Sequence, residues 1–173
     1  MTDWIRSFAV DTFAPMLGTL SRLLEKAESH PKATTLPDAR LASDMFPLRR
    51  QVQLACFHAR SGVSVLATGH TTATPDGPPD DDLTTLRALV ATTVAELRAA
   101  PESAFAGAAE RAISQPLLGG RVLEMNGARY LRDWAFGHFY FHVVTAYAIL
   151  RHEGLELGKR DFMAHVGDAI RQA

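Results

Sequence analysis

The sequence predicts an all-α protein, a four-helix bundle forming a single domain over residues 1–173, with a long crossover between its third and fourth helices. Three observations carry this. Apolar residues recur at intervals of three and four along four long stretches, the spacing of a helix face. Proline-rich breaks at 29–38 and 74–82 separate the first three stretches and read as loops. The last two are joined by a glycine-containing connection too long for a tight turn, as in bundles with a crossover.

The first helix is expected over about residues 2–28, with Ile5, Phe8, Ala9, Thr12, Met16, Leu20, Leu23, Leu24 and Ala27 as its core stripe. Pro15 lies inside it and removes one backbone hydrogen bond, so a kink or break is expected near Asp11. The second starts near Asp44, placed to cap a first turn that contains Pro47, and ends by Gly69. Asp80, Asp81 and Asp82 precede a third helix over about 83–100, where carboxylates complement the positive end of the helix dipole. Pro101 ends it. The connection over about 106–128 holds Gly107, Pro116, Gly119, Gly120 and Gly127, with short strands expected around 112–114 and 121–124. The fourth helix covers about 128–152 and stops before Gly154, which suits a left-handed cap. A short helix within 159–172 is expected against the outside of the bundle.

Composition narrows the function classes. Of the 173 residues 47% are apolar and 21% charged, with 18 Lys and Arg against 19 Asp and Glu. A chain of this length buries roughly 70% of its unfolded surface, so its core needs no disulfide or structural metal. The balanced charge, without a basic run, excludes a nucleic-acid binder that works by neutralising phosphates. Cys56 is the single cysteine, which excludes a disulfide framework and points to a reducing compartment. No stretch has the roughly 18 apolar residues of a membrane span, and Asp3, Arg6 and Asp11 stand where a secretory signal is apolar. A cytoplasmic protein is expected.

The fourth helix carries the chemistry. Successive residues about 100° apart put Ala135, His138, Phe139, His142, Ala146, Ile149 and Leu150 on one face. The opposite side carries Tyr140, Phe141, Val144, Tyr147 and Ala148, so this helix is deeply buried or meets a partner. His138 and His142, four residues apart, stack one turn above the other, a spacing that lets two imidazoles hold one metal ion. The same pair can equally fill core space with ordinary hydrogen bonds. His58 is the best-placed third ligand, because His30, His70, His152 and His165 fall in loops or at element ends. Its phase counts against it: it lies about 120° from the centre of the stripe Leu48, Val52, Ala55, Cys56, Ala59, Val63 and Leu66. Either its neighbours Leu54, Phe57 and Val65 form a second face toward the bundle centre, or His58 is on the surface. Cys56 points away from His58 and reads as a small core residue.

Several segments carry a resemblance. Asp44-Met-Phe-Pro-Leu48, Gln51-Val-Gln53, the run from Phe139 to His152 and Leu157-Gly-Lys-Arg-Asp-Phe162 resemble a bacterial domain of unknown function related to DinB and YfiT, over most of the chain from Phe13 to Phe162. The resemblance implies the DinB/YfiT-like four-helix bundle, often a homodimer. In the wider superfamily nickel or zinc is bound by one histidine of the second helix and an HxxxH pair of the fourth, and His58, His138 and His142 match that triad. In the closer family the position of His138 is usually Asn and that of His58 is usually another residue, so this chain departs from its nearest pattern. The closer family's own motif residues are Asp44, Gln51, Gln53, Tyr140, His142, Tyr147, Arg151, Lys159 and Asp161. Gln51 and Tyr140 are the candidates for binding a cofactor or ligand, whereas Lys159 and Asp161 fit a structural role at the C-terminus.

Two functions follow. One is a metal-dependent enzyme, a thiol transferase or a hydrolase, in which three neutral imidazoles leave positions open on the metal for water or a thiol. Thiol transfer is what the superfamily resemblance implies. Its general base is unassigned, since Glu25, Glu28 and Asp44 fall at helix ends, where capping or solvation accounts for them. The alternative is a non-catalytic dimeric bundle that binds a small apolar ligand or a protein partner through the aromatic side of the fourth helix. Convergence of His58 on the HxxxH pair separates the two.

Overall fold

Four long helices position everything else. The structure, a computed structural model, describes residues 4–74, 77 and 80–171, without the side chains of Leu118 and Asp168. The expected helix start at Thr2, the three prolines and Asp76 of the 74–82 loop and the tail end at Gln172 lie outside the described residues.

Helix α1 spans Trp4–Glu28 and buries Ile5, Ala9, Phe13, Met16, Leu17, Leu20, Leu23, Leu24 and Ala27. Its buried face is rotated slightly from the expected stripe, taking in Phe13 and Leu17 and leaving Phe8 52% exposed. The expected break near Asp11 does not occur, and α1 is helical through Pro15. Asp11 is exposed, so water can serve the carbonyl that proline leaves without a donor, while buried Phe13, Ala14, Met16 and Leu17 hold the helix on both sides.

Helix α2 spans Leu48–Thr68, beginning later than expected, with Pro47 at its N-cap and exposed Asp44 making no cap. The residue before a proline is driven out of the helical region, so Phe46 cannot belong to the first turn. At the other end Gly69 has φ 88° and donates its N–H to the Val65 carbonyl at 2.8 Å, a left-handed cap.

Helix α3 spans Leu83–Ala99, and Asp82 caps it by accepting the Thr85 N–H at 2.7 Å. Asp81 does not share that role: it is buried and accepts Gln53 Nε2 at 2.9 Å, tying the start of α3 to α2.

The crossover holds a hairpin. Strand β1, Ala112–Pro116, pairs antiparallel with β2, Val122–Asn126, with Ser114 opposite Glu124. Gly119 and Gly120 turn it with φ of 74° and 71°, a conformation that side chains other than glycine resist. Gly127 then enters the fourth stretch against the Ala108 carbonyl, where an added Cβ would lie 1.9 Å from the oxygen.

That stretch is three consecutive segments: α4, Gly127–Arg129; a π-helical segment, Tyr130–Ala135; and α5, Phe136–His152. The π turns, invisible to a 3.6-residue period, precede His138 by three residues. Asn126 caps the stretch by accepting the Arg129 N–H at 2.9 Å, and Gly154 follows it with φ 99°. Helix α6, Lys159–Phe162, lies against α1, where Asp161 accepts from Lys26 Nζ at 2.5 Å and from the Gly158 N–H at 2.7 Å.

Helix α1 packs along α3, and α2 packs along α5 and against α3. Buried residues of all four long helices, with Phe105, Ala108 and Ile113 of the crossover, join in one hydrophobic cluster. The fold is thus mostly helical, with one small antiparallel sheet. No helix among the described residues is long and apolar enough to cross a membrane.

Candidate metal centre

The contact between α2 and α5 creates the site. On α2, Gln51 and His58 are seven residues apart, two turns along one side; on α5, His138 and His142 are one turn apart. The helices bring these two sides together. One ring nitrogen from each of His58, His138 and His142 can be chosen so that all lie within 4.8 Å of one another. The His58 ring is nearly parallel to both others, with ring centroids 4.6 Å from His138 and 5.2 Å from His142. The second apolar patch of α2 explains how His58 turns inward: Leu54 and Val65 are buried, because α2 has neighbours on more than one side.

His142 is the anchored member. Its residue is 7% exposed, and Nδ1 lies 2.8 Å from Gln51 Oε1. The Gln51 amide is itself oriented, since its Nε2 donates to the Phe46 carbonyl at 3.0 Å. Oε1 is therefore an acceptor, Nδ1 carries the proton, and the lone pair of Nε2 is left for a metal. Gln51 thus contacts His142 and acts through it. Tyr140, two residues from each histidine of α5, falls on another side of that helix; its ring is half-buried against Phe136 and Phe139.

Electrostatics keep the cluster neutral. Burial, followed by the neighbouring His138 and His142, pushes His58 down to about 3. Burial, then His138 and Arg50, pushes His142 down to about 4, and burial also lowers His138. Neutral imidazoles are the form that ligates metal. The donor set fits a divalent ion: metal–nitrogen distances of about 2.0–2.1 Å in a tetrahedral site separate neighbouring nitrogens by roughly 3.4 Å, within reach of small side-chain rotations from the observed cluster.

Sequence reasoning missed the aromatic surroundings. Trp134 lies 4.5 Å from the His138 ring, Phe57 4.9 Å from His58 and Phe141 5.2 Å from His142. The spacing of Trp134 four residues before His138 was the available signal. Cys56 takes no part: it is fully buried, and burial pushes its thiol up to about 11 despite a hydrogen bond with Thr93.

Comparison with known proteins places the chain in a family. The family model described as "Domain of unknown function (DUF1993)" matches residues 6–163. The crystal structure of a DinB family member protein from Shewanella denitrificans is 34% identical, with 94% of this chain and 96% of that chain covered and a TM-score of 0.82. No curated protein matches the chain. With nearly its whole length matched by the family model and its fold shared with a DinB family member, the chain belongs to the DUF1993 domain family and is DinB-like.

Proposed function

We propose that this chain is a metal-binding DinB-type four-helix bundle in which His58, His138 and His142 hold one divalent ion, nickel or zinc. The observation that supports it is the approach of three imidazoles from two helices to within 4.8 Å, where chance core packing needs no such convergence. When bound, the ion would act as a Lewis acid that makes a thiol or a water more acidic, the chemistry of a thiol transferase or a hydrolase. The chain's own residues do the rest. Gln51 fixes the His142 tautomer, and burial holds the three imidazoles neutral. Trp134 and Phe57, both half-buried, limit water beside His138 and His58.

The test is elemental analysis of the untagged protein after exposure to zinc and nickel and removal of loose metal, beside the His138→Ala/His142→Ala double variant. About one ion per chain, lost in the variant, is expected. Equal metal in both proteins, or none in either, would overturn the reading.

A second reading, a non-catalytic homodimer that binds a partner or small apolar ligand, is favoured by the exposure of Phe141 (58%) and Val144 (47%) on α5. Large apolar side chains grouped on one helix commonly meet another surface. Sedimentation equilibrium should then give twice the chain mass, falling to one chain in Val144→Asp; a monomeric parent protein removes the dimer.

A further inference from the structure

The aromatic groups beside the histidines and the charge around them bear on what the centre would take. Each candidate ligand has a ring next to it, and Phe141, the one beside His142, is 58% exposed. Trp134 and Phe57 are half-buried beside His138 and His58. A flat apolar group laid against these rings would remove exposed apolar surface from water and gain ring–ring contact.

The charge is one-sided. Three neutral imidazoles contribute none, so a divalent ion held by them keeps its full charge of two. The cluster that α2 and α5 bring together is three histidines, and among the described residues no carboxylate joins them within that 4.8 Å; Arg50 is the charged side chain that acts on His142. Arg50 donates to Gln53 Oε1 at 3.3 Å, which holds its head on α2, one residue before Gln51. A half-buried centre with this surplus favours an incoming ligand that brings a negative charge, since attraction is stronger where water is partly excluded. A single charge suffices, because a second would have to be stripped of water against the aromatic walls.

We propose that the centre binds an organic monoanion carrying an aromatic group, its anionic end directed to the metal and its ring to Phe141, Trp134 and Phe57. This rests on the metal-binding reading above.

The test uses the full chain loaded with nickel, its metal content measured first. Three probes are titrated calorimetrically and by the visible absorption of nickel: 3-phenylpropanoate, acetate and the uncharged 3-phenylpropanol. 3-Phenylpropanoate should bind at least about tenfold tighter than either of the others. Phe141→Ala, at an exposed position where truncation spares the fold, should retain its nickel and its acetate affinity and lose most of the preference for 3-phenylpropanoate. Equal affinity for acetate and 3-phenylpropanoate overturns the aromatic part, and equal affinity for the alcohol overturns the anionic part. An unchanged preference in Phe141→Ala overturns the assignment of the rings. A chain that retains no nickel fails at the metal reading itself and takes this proposal with it, an outcome distinct from a loaded chain that does not discriminate among the probes.

Discussion

Gln51 is buried between two groups that need it, the Phe46 carbonyl and the His142 ring. Replacing it with leucine keeps the volume and leaves a buried Nδ1–H without an acceptor, which costs about 1–3 kcal/mol. Gln51→Leu should therefore lower the urea midpoint of the metal-free protein, and it should weaken zinc binding about 10–100-fold in a competition with a chelator, the usual effect of losing a ligand's outer partner. Unchanged zinc affinity would show that the hydrogen bond does not orient the ring. The histidines also set a pH dependence. Their folded-state pKa values lie below the ordinary value of 6.5, at about 3 for His58 and about 4 for His142. As pH falls through 6.5 the unfolded chain takes up protons that the folded chain refuses, so stability is fully present above that point and declines as pH drops toward 4. Denaturation of the metal-free protein should show this decline already between pH 6.5 and 5, above the range where Asp161 and Glu153, lowered by their lysine partners, begin to matter. The His58→Gln/His142→Gln variant should flatten the slope there, and a parent protein equally stable at both pH values would contradict it.

Two glycines in helical elements test the packing from opposite sides. Gly127 touches the Ala108 carbonyl so closely that a methyl group would overlap it, whereas a Cβ at Gly18 in α1 meets nothing within 4 Å. Gly18→Ala should stabilise the fold by the helix-propensity gain of about 0.5–1 kcal/mol and so raise the melting temperature. Gly127→Ala should destabilise by about 2 kcal/mol or more and lower the melting temperature, because the backbone joining β2 to α4 must move. Equal melting temperatures would mean that this junction has slack. The same elements show what was legible in the sequence. Period located all four long helices, and the two short strands of the glycine-containing connection were legible as well, because each signal is local. The start of α2 was missed because the constraint of Pro47 on Phe46 outweighs a distant Asp44 cap. The π segment was missed because a fixed 3.6-residue period cannot register a turn with a longer hydrogen bond. HxxxH was legible as one face of one helix. Phase leaves the inward turn of His58 open, since it assigns a single core direction to a helix that packs against both α5 and α3; it is the second patch of Leu54, Phe57 and Val65, with the family resemblance, that points inward.

At the scale of the whole molecule, metal binding by the proposed triad would form one equilibrium with folding, because His58 on α2 meets His138 and His142 on α5 only when those helices are packed together. Cys56 offers a reporter of that equilibrium outside the site. It is fully buried, bonded to Thr93 of α3, and its thiol is held near 11, so reagents that need a thiolate reach it only when α2 and α3 separate. Labelling by iodoacetamide under native conditions should therefore be slow and should track the opening free energy as urea is raised. Nickel at about 100 times its dissociation constant stabilises the folded state by about 2.7 kcal/mol, and should slow the labelling about a hundredfold. In His138→Ala/His142→Ala the same nickel should leave the rate unchanged. Rapid labelling of the native protein would show that α2 and α3 part without unfolding. A loaded parent protein labelled at its metal-free rate would show that the ion sits where folded and unfolded chains hold it equally, and not between α2 and α5.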